Sequence, residues 1–258
     1  MIELSLIGIG TGNPDHVTRE GIHAMNAADL ILIPLKGEEK SDLAGLRHEI
    51  CRSCVTNPAT RIEGFDLPVR DPGTPDYLQR VGDWHDRIAE VWQQAILAHL
   101  ARGGGPRVAF LVWGDPSVYD STLRIAARLR QGMELELRVL PGITAIQALC
   151  AAHAIPLNDL AAPVLVTTGR RLRAEGWPEG ADTAVVLLDN GCAFEVLDPA
   201  GIEIWWGAYV GMRQQVLVAG ALAETAEEIR QTRARARAAQ GWIMDIYLMR
   251  RRPAVTGA

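Results

Sequence analysis

The spacing of apolar positions changes along this chain, and each change marks an element. Ile2 to Ile9 is a short, nearly continuous apolar run that leads into glycines, the pattern of a strand buried on both faces. His16 to Ala27 continues at helical spacing, with Ile22 and Met25 placed for burial. Asp29 to Leu35 is a second strand. Asp42 to about Cys54 reads as a helix that Ser41 can cap, with Leu43, Leu46 and Ile50 on its buried stripe. Asn57 to Pro75 is rich in Pro and Gly and mixed in charge, and predicts a long ordered loop. From Asp76 to Ala101 the positions Leu78, Val81, Ile88, Val91, Trp92, Ala95 and Leu100 predict one long helix whose tryptophans are packing residues. Arg107 to Trp113 is again strand-like, Ser117 to Gln131 helical, and Glu134 to Leu140 a further strand. A helix opened near Ala145 ends before Pro156.

Around Asn158 to Ala162 the pattern shifts, and strands then outnumber helices. Pro163 to Thr168, Asp182 to Asp189, Ile202 to Trp206, Gln215 to Gly220 and Trp242 to Met249 read as strands. Gly169 to Arg173 falls in the connection after the first of them. Ala221 to about Arg237 is a helix that starts acidic and ends in arginines, the order its dipole favours. The expected fold class is therefore α/β: a parallel-sheet N-terminal domain over residues 1–158, then a smaller mixed α+β C-terminal domain over 159–258.

Composition narrows the function. With 48% apolar residues in 258, the chain can build a sizeable core. A net charge of −5 argues against nucleic-acid binding, and no apolar run is long enough for a membrane span. A cytoplasmic location is expected. Cys51 and Cys54 have redox or zinc spacing, but no second pair follows and the pair closes a helical pattern; ordinary thiols and no metal site are expected.

Candidate chemistry lies at the strand ends. Val112 to Thr122 breaks a buried strand at Gly114 and Pro116 and offers Asp115 beside a glycine. Such a corner, at the carboxyl end of a parallel strand, is where open α/β sheets bind ligands; a plain turn with Asp115 as a helix N-cap is the other reading. Pro141-Gly-Ile-Thr-Ala145 forms a second corner of the same kind, and both should lie on one sheet edge. The first loop, Gly8-Ile-Gly10-Thr-Gly12-Asn-Pro14, resembles a dinucleotide fingerprint but misses its spacing, since no glycine follows two residues after the Gly10-Thr-Gly12 step.

The three motifs in this order (Gly8 to Pro14 with Thr18, Gly114-Asp-Pro-Ser-Val-Tyr119, Pro141 to Ala145) resemble the tetrapyrrole methylases, enzymes that transfer methyl from S-adenosylmethionine to corrin and sirohaem intermediates. The likeness covers nearly the whole chain. Lys36 to Leu43, Leu46 to Ile50, Thr167 to Leu172 and Gly207 to Met212 are similar to members that methylate C1 of precorrin-5 and release acetic acid. Members acting at C11 or C20 are the alternative within the family. A nicotinamide-dependent oxidoreductase, or a sensor that binds cofactor without turnover, are alternatives of other classes. The resemblance implies S-adenosylmethionine as cofactor, S-adenosylhomocysteine as product, and a homodimer. It further implies cofactor contacts at Trp113, Gly114, Asp115 and Val118, at Thr144 and Ala145, at Leu188 and Val210, and at Thr11 on the cofactor's edge. Relatives acting on early intermediates carry an aspartate after the second strand; here the stretch reads Ile33-Pro34-Leu35, so no catalytic acid or base is carried over. A substrate with many carboxylates calls for cationic donors, and Lys36, Lys40, Arg47, Arg70 and Arg171 lie in or beside loops expected near it.

Overall fold

Alternation within the first strands sorts their side chains onto two faces. In β1 (Ile2–Gly8), β2 (Leu30–Leu35) and β4 (Arg107–Val112), Leu4, Leu6, Leu30, Leu32, Val108, Phe110 and Val112 enter one core. Ile7, Ile9, Ile31, Ile33, Ala109 and Leu111 enter the other. A strand apolar on both faces must be covered twice, so the fold of this part is helix, sheet, helix. The computed structural model describes residues 1–35, 41–69, 73 and 76–251. The chain packs into two units, Met1–Thr144 and Ala145–Ala258.

In the first unit five parallel strands run in the order β3-β2-β4-β1-β5, with β3 at Arg61–Asp66 and β5 at Leu135–Leu140. Helices α1 (Arg19–Ala27) and α2 (Ser41–Cys54) cover one face; α3 (Tyr77–Ala101) and α4 (Thr122–Gly132) cover the other. Side chains of Thr18 and Asp76 cap α1 and α3 through the N–H groups of Gly21 and Gln79. Trp92 stacks on Phe110 at 3.7 Å and Trp84 donates to the Pro68 carbonyl, so both tryptophans of α3 pack locally. Burial pushes the Cys51 thiol up to about 12, with Cys54 beside it adding to the shift, and a thiol so protonated is a poor nucleophile.

In the second unit five strands run β6-β7-β10-β8-β9: Val164–Thr168, Thr183–Leu187, Asp245–Arg251, Ile202–Ala208 and Val216–Ala221 in that spatial order. Only β6 and β7 are parallel. Helix α5 (Ala145–His153) lays Ala148 and Leu149 against Val185, Val210, Ile246 and Leu248, while α6 (Gly169–Glu175) and α7 (Leu222–Gln240) complete the unit.

The structure departs from the sequence reading at four places. The expected loop over 57–75 contains β3, an edge strand in which only Phe65 is buried, so no apolar run announces it. The helix expected from Ser117 starts at Thr122, because Tyr119 adopts a φ of 50° and breaks the helical path before it. Gly169 to Arg173 belongs to α6, capped by the Thr168 hydroxyl. The sequence pattern changes at 158/159, whereas α5 packs with the second sheet and the compact units meet at 144/145.

Candidate functional site

The carboxyl edge of the first sheet is built where adjacent strands send their chains to opposite faces. From β1 the chain continues to α1 on one face, and from its neighbour β4 to α4 on the other. That divergence opens the crevice in which such sheets bind ligands. Three glycine-bearing segments meet there. Gly10 and Gly114 form an isolated bridge, with Gly114 N donating to Gly10 O at 2.7 Å. Both adopt positive φ, 72° and 62°. A Cβ on Gly142 would lie 2.1 Å from the Gly114 oxygen, so the two corners approach closer than any side chain allows.

Asp115 joins these corners. Its Oδ2 accepts the Gly142 N–H at 2.9 Å, and its Oδ1 accepts the Ser117 N–H at 2.8 Å and the Ser117 hydroxyl at 2.5 Å. Desolvation pushes its pKa up, but the bonds from Ser117 and Gly142 outweigh it and hold the carboxyl below its ordinary value of 3.8. Helix α4 begins later, with Ser121 at its N-cap position, so Asp115 is not the helix cap.

The other first-unit positions lie along this edge. Thr11 is buried with its hydroxyl 3.1 Å from His16 Nδ1, and Thr144 is buried at the second corner. Val118 is half-buried and donates its N–H to Asp115 O. Trp113 is half-buried, with its Nε1 enclosed and without a partner among the described residues. Two N–H groups of the first glycine loop are already used, Ile9 N and Gly10 N donating to Val112 O and Gly114 O.

In the second unit, Leu188 and Val210 follow β7 and β8. Val186 and Trp206 both pair with Tyr247, which puts the ends of these two strands on one edge. Leu188 has a φ of 52° and a largely exposed side chain; Val210 is buried against α5, the helix that Ala145 opens. Asp189, next to Leu188, is buried and accepts from Tyr247 Oη at 2.9 Å, Ala193 N at 2.7 Å and Gly191 N at 3.1 Å, and pairs with Arg173. Sequence reasoning missed this anchor, since a single acid at the end of an apolar run reads as the start of a turn and carries no sign of burial.

Of the basic candidates, Arg47 lines a cavity in the first unit beside Trp113, while Arg171 sits on α6 bonded to Glu175 at 2.7 Å. Lys36, Lys40 and Arg70 lie outside the described residues. Among the described residues no cluster of His, Cys, Asp and Glu could hold a metal, and no helix is long and apolar enough to cross a membrane.

Comparison with known proteins agrees with this geometry. The family model for tetrapyrrole (corrin/porphyrin) methylases matches residues 3–226. Over 253 residues the chain is 46% identical to a deacetylating precorrin-6A synthase of Sinorhizobium sp, covering 97% of this chain and 96% of that protein. It is 28% identical over 192 residues to a precorrin-2 C(20)-methyltransferase of Sinorhizobium sp, covering 72% of this chain and 73% of that one. Among solved structures, a cobalamin-synthesis-related protein (CobF) of Corynebacterium diphtheriae superposes with a TM-score of 0.80 at 36% identity, over 97% of this chain and 99% of that one. A uroporphyrin-III C-methyltransferase of Thermus thermophilus, solved with S-adenosylhomocysteine, shares the fold at a TM-score of 0.56 and 18% identity, over 96% of each chain. With the paired corners and the match over most of its length, the chain belongs to the tetrapyrrole methylases.

Proposed function

We propose that this methyltransferase of cobalamin synthesis uses S-adenosylmethionine to methylate C1 of precorrin-5 with loss of acetate, giving precorrin-6A. The observation that carries this reading is the joint of Asp115 to Gly142, which sets the two corners side by side on the edge where family members are expected to hold the methyl donor. The extended identity to the deacetylating precorrin-6A synthase supports the choice of substrate over the C11 and C20 alternatives.

The residues present fit the donor. Gly114 keeps an open face, with no atom nearer than 3.6 Å to an added Cβ, and the ionised Asp115 would place a fixed negative charge on the side where a cationic donor binds. When bound, S-adenosylmethionine supplies an already activated methyl group. The protein's part is to align the ring carbon with that methyl and to exclude water from the displacement. Trp113, Gly114, Asp115, Val118, Thr144 and Thr11 from the first unit, and Ala145, Leu188 and Val210 from the second, are the proposed cofactor contacts. Arg47 remains a proposed substrate contact, through the acyl group that the substrate loses rather than through a carboxylate arm, and the i,i+4 partner of Arg171 makes that residue the weaker candidate. Homodimeric assembly and a cytoplasmic location complete the proposal, and light scattering of the purified protein tests the first.

The decisive experiment incubates the protein with precorrin-5 and S-adenosylmethionine and measures methyl transfer, acetate and product mass. One methyl gained and one acetate released per turnover are expected; methylation without acetate would shift the assignment to another ring position. Calorimetry should detect S-adenosylhomocysteine binding and none of NADH.

A further inference from the structure

A cavity of about 180 Å³ opens at the carboxyl edge of β2 and β4, wholly within the first unit, with Arg47, Trp84, Trp92, Trp113 and Asp120 among its walls. An apolar cavity of roughly 150 Å³ holds a molecule the size of benzene. Pockets that enclose a whole organic ligand are larger, roughly 300–1,000 Å³. It therefore suits a group of a few heavy atoms, not a macrocycle.

The polar groups on its walls are short of acceptors. Arg47 donates its Nε to the Leu111 carbonyl at 3.3 Å and lays its guanidinium 4.7 Å from the centre of the Trp113 ring. Among the described residues it makes no ion pair. Desolvation draws its pKa down to about 10, so it is still a cation at neutral pH, in a setting that costs it hydration. The indole nitrogens of Trp92 and Trp113 are also enclosed without an acceptor among the described residues. An enclosed indole donor left unmade is costly, and Arg47, which is half-buried, keeps only part of its hydration. Among the described residues Asp120 is the acidic wall residue; its charge partly offsets the desolvation of Arg47 without forming an ion pair with it, and its Oδ1 is taken by the N–H and hydroxyl of Thr122 at 2.6 and 2.5 Å. A cation and indole donors on largely apolar walls form a receptor for a short carboxylic acid. Trp113 also places it: its ring walls the cavity while its backbone leads directly into Gly114 and Asp115.

We propose that this cavity receives the two-carbon acyl unit expelled during turnover and that Arg47 binds its oxygen atoms as it leaves. The proposal rests on the deacetylating methylase reading given above. The balance requires water: its oxygen adds to the acyl carbon and the bond from that carbon to the ring carbon breaks. The electron pair of that bond stays on the macrocycle and forms the new bond to the transferred methyl. The products are acetic acid, the methylated ring, the thioether of the spent donor and one proton released to solvent. Arg47 stabilises the oxygen that gains charge as water adds, then holds the carboxylate.

Sodium acetate titrated into the protein, against sodium chloride at matched ionic strength, tests the site through the fluorescence of its tryptophans. A saturable response is expected, at least about tenfold weaker in Arg47→Met and partly restored in Arg47→Lys, with circular dichroism melts confirming that both variants fold. A response no different from chloride, or one unchanged in folded Arg47→Met, overturns the proposal. In turnover, Arg47→Met should lower kcat and abolish product inhibition by acetate while KM holds. A raised KM at constant kcat would instead place a carboxylate arm of the substrate on Arg47 and overturn it. Failure of the unmodified protein to bind S-adenosylhomocysteine would sink the methylase reading, whereas normal binding with no acetate response sinks only the cavity.

Discussion

The carboxylate of Asp115 accepts the backbone N–H of Gly142 at 2.9 Å, tying the end of β4 to the end of β5 across β1, which lies between them. Gly8, the last residue of β1, sits under this joint, and a Cβ there would be 2.6 Å from Gly142 N. The three strand ends therefore converge on one spot where only glycine backbone fits. An acid in the middle of that spot does structural work before any ligand arrives.

Asp115→Ala should leave the Gly142 N–H without its acceptor, costing about 1–3 kcal/mol of stability and weakening S-adenosylhomocysteine binding in calorimetry. The folded-state pKa of Asp115 is depressed, so its charged form contributes stability that is fully present above the ordinary value of 3.8 and fades as pH falls through the folded value. The stability gap between the parent protein and Asp115→Asn, measured by urea unfolding, should therefore narrow as pH drops below 3.8. A gap that stays constant in acid would show that the ionised form is not what the joint uses.

Two glycine substitutions should move in opposite directions. In Gly142→Ala the new methyl would stand 2.1 Å from the Gly114 carbonyl oxygen, a backbone atom that cannot swing aside. Separating the corners should cost about 3 kcal/mol or more and abolish cofactor binding. Gly45 lies within α2, exposed, with nothing within 4 Å of an added Cβ. Gly45→Ala should raise stability by about 0.5–1 kcal/mol by reducing backbone entropy in the unfolded chain. Thermal melts of the two variants side by side decide the matter.

Much of this was legible in the chain because buried parallel strands write themselves as apolar runs ending in glycine. β1 and β4 read that way, β5 reads from its alternation, and the pairing of the corners on one edge follows from the strand-to-glycine pattern. β3 was not, because an edge strand with one buried residue, Phe65, has no run to detect. The bridge of Gly10 to Gly114 and the anchoring of Asp115 by Gly142 depend on contacts between segments distant in sequence, which no local period encodes. Arg47 is a candidate from its charge and its position beside a loop expected near the substrate; its place beside Trp113 and its want of an ion pair among the described residues are facts of packing.

Asp189 should be among the most sensitive positions of the second unit. Its side chain is 1% exposed and takes bonds from Tyr247, Ala193, Gly191 and Arg173. Asp189→Asn removes the charge that Arg173 faces and aims an amide N–H₂ at donors. Because Arg173 is itself 38% exposed, the loss should be about 2–3 kcal/mol, below the roughly 3–5 of a fully buried pair. Tyr247→Phe should cost about 1 kcal/mol. The double variant should lose less than the sum, since both act on one bond, and chemical denaturation of the four proteins measures that coupling.

Leu188 offers the sharpest separation of stability from function. It holds a φ of 52°, which costs a non-glycine residue about 1–2 kcal/mol, and it leaves an apolar side chain 64% exposed. Neither feature helps folding, and the bonds to Asp189 next to it keep the backbone in that state. Such strain persists where the surrounding structure enforces it, and it directs attention to what the exposed side chain touches. Leu188→Gly should relieve the strain and raise the melting temperature, while S-adenosylhomocysteine binds about tenfold more weakly, a loss of 1.4 kcal/mol of apolar contact. Leu188→Ala should keep the strain and lose the contact, so it should bind as weakly as the glycine variant without its gain in stability. If both variants bind S-adenosylhomocysteine as the parent does, the cofactor does not rest on Leu188.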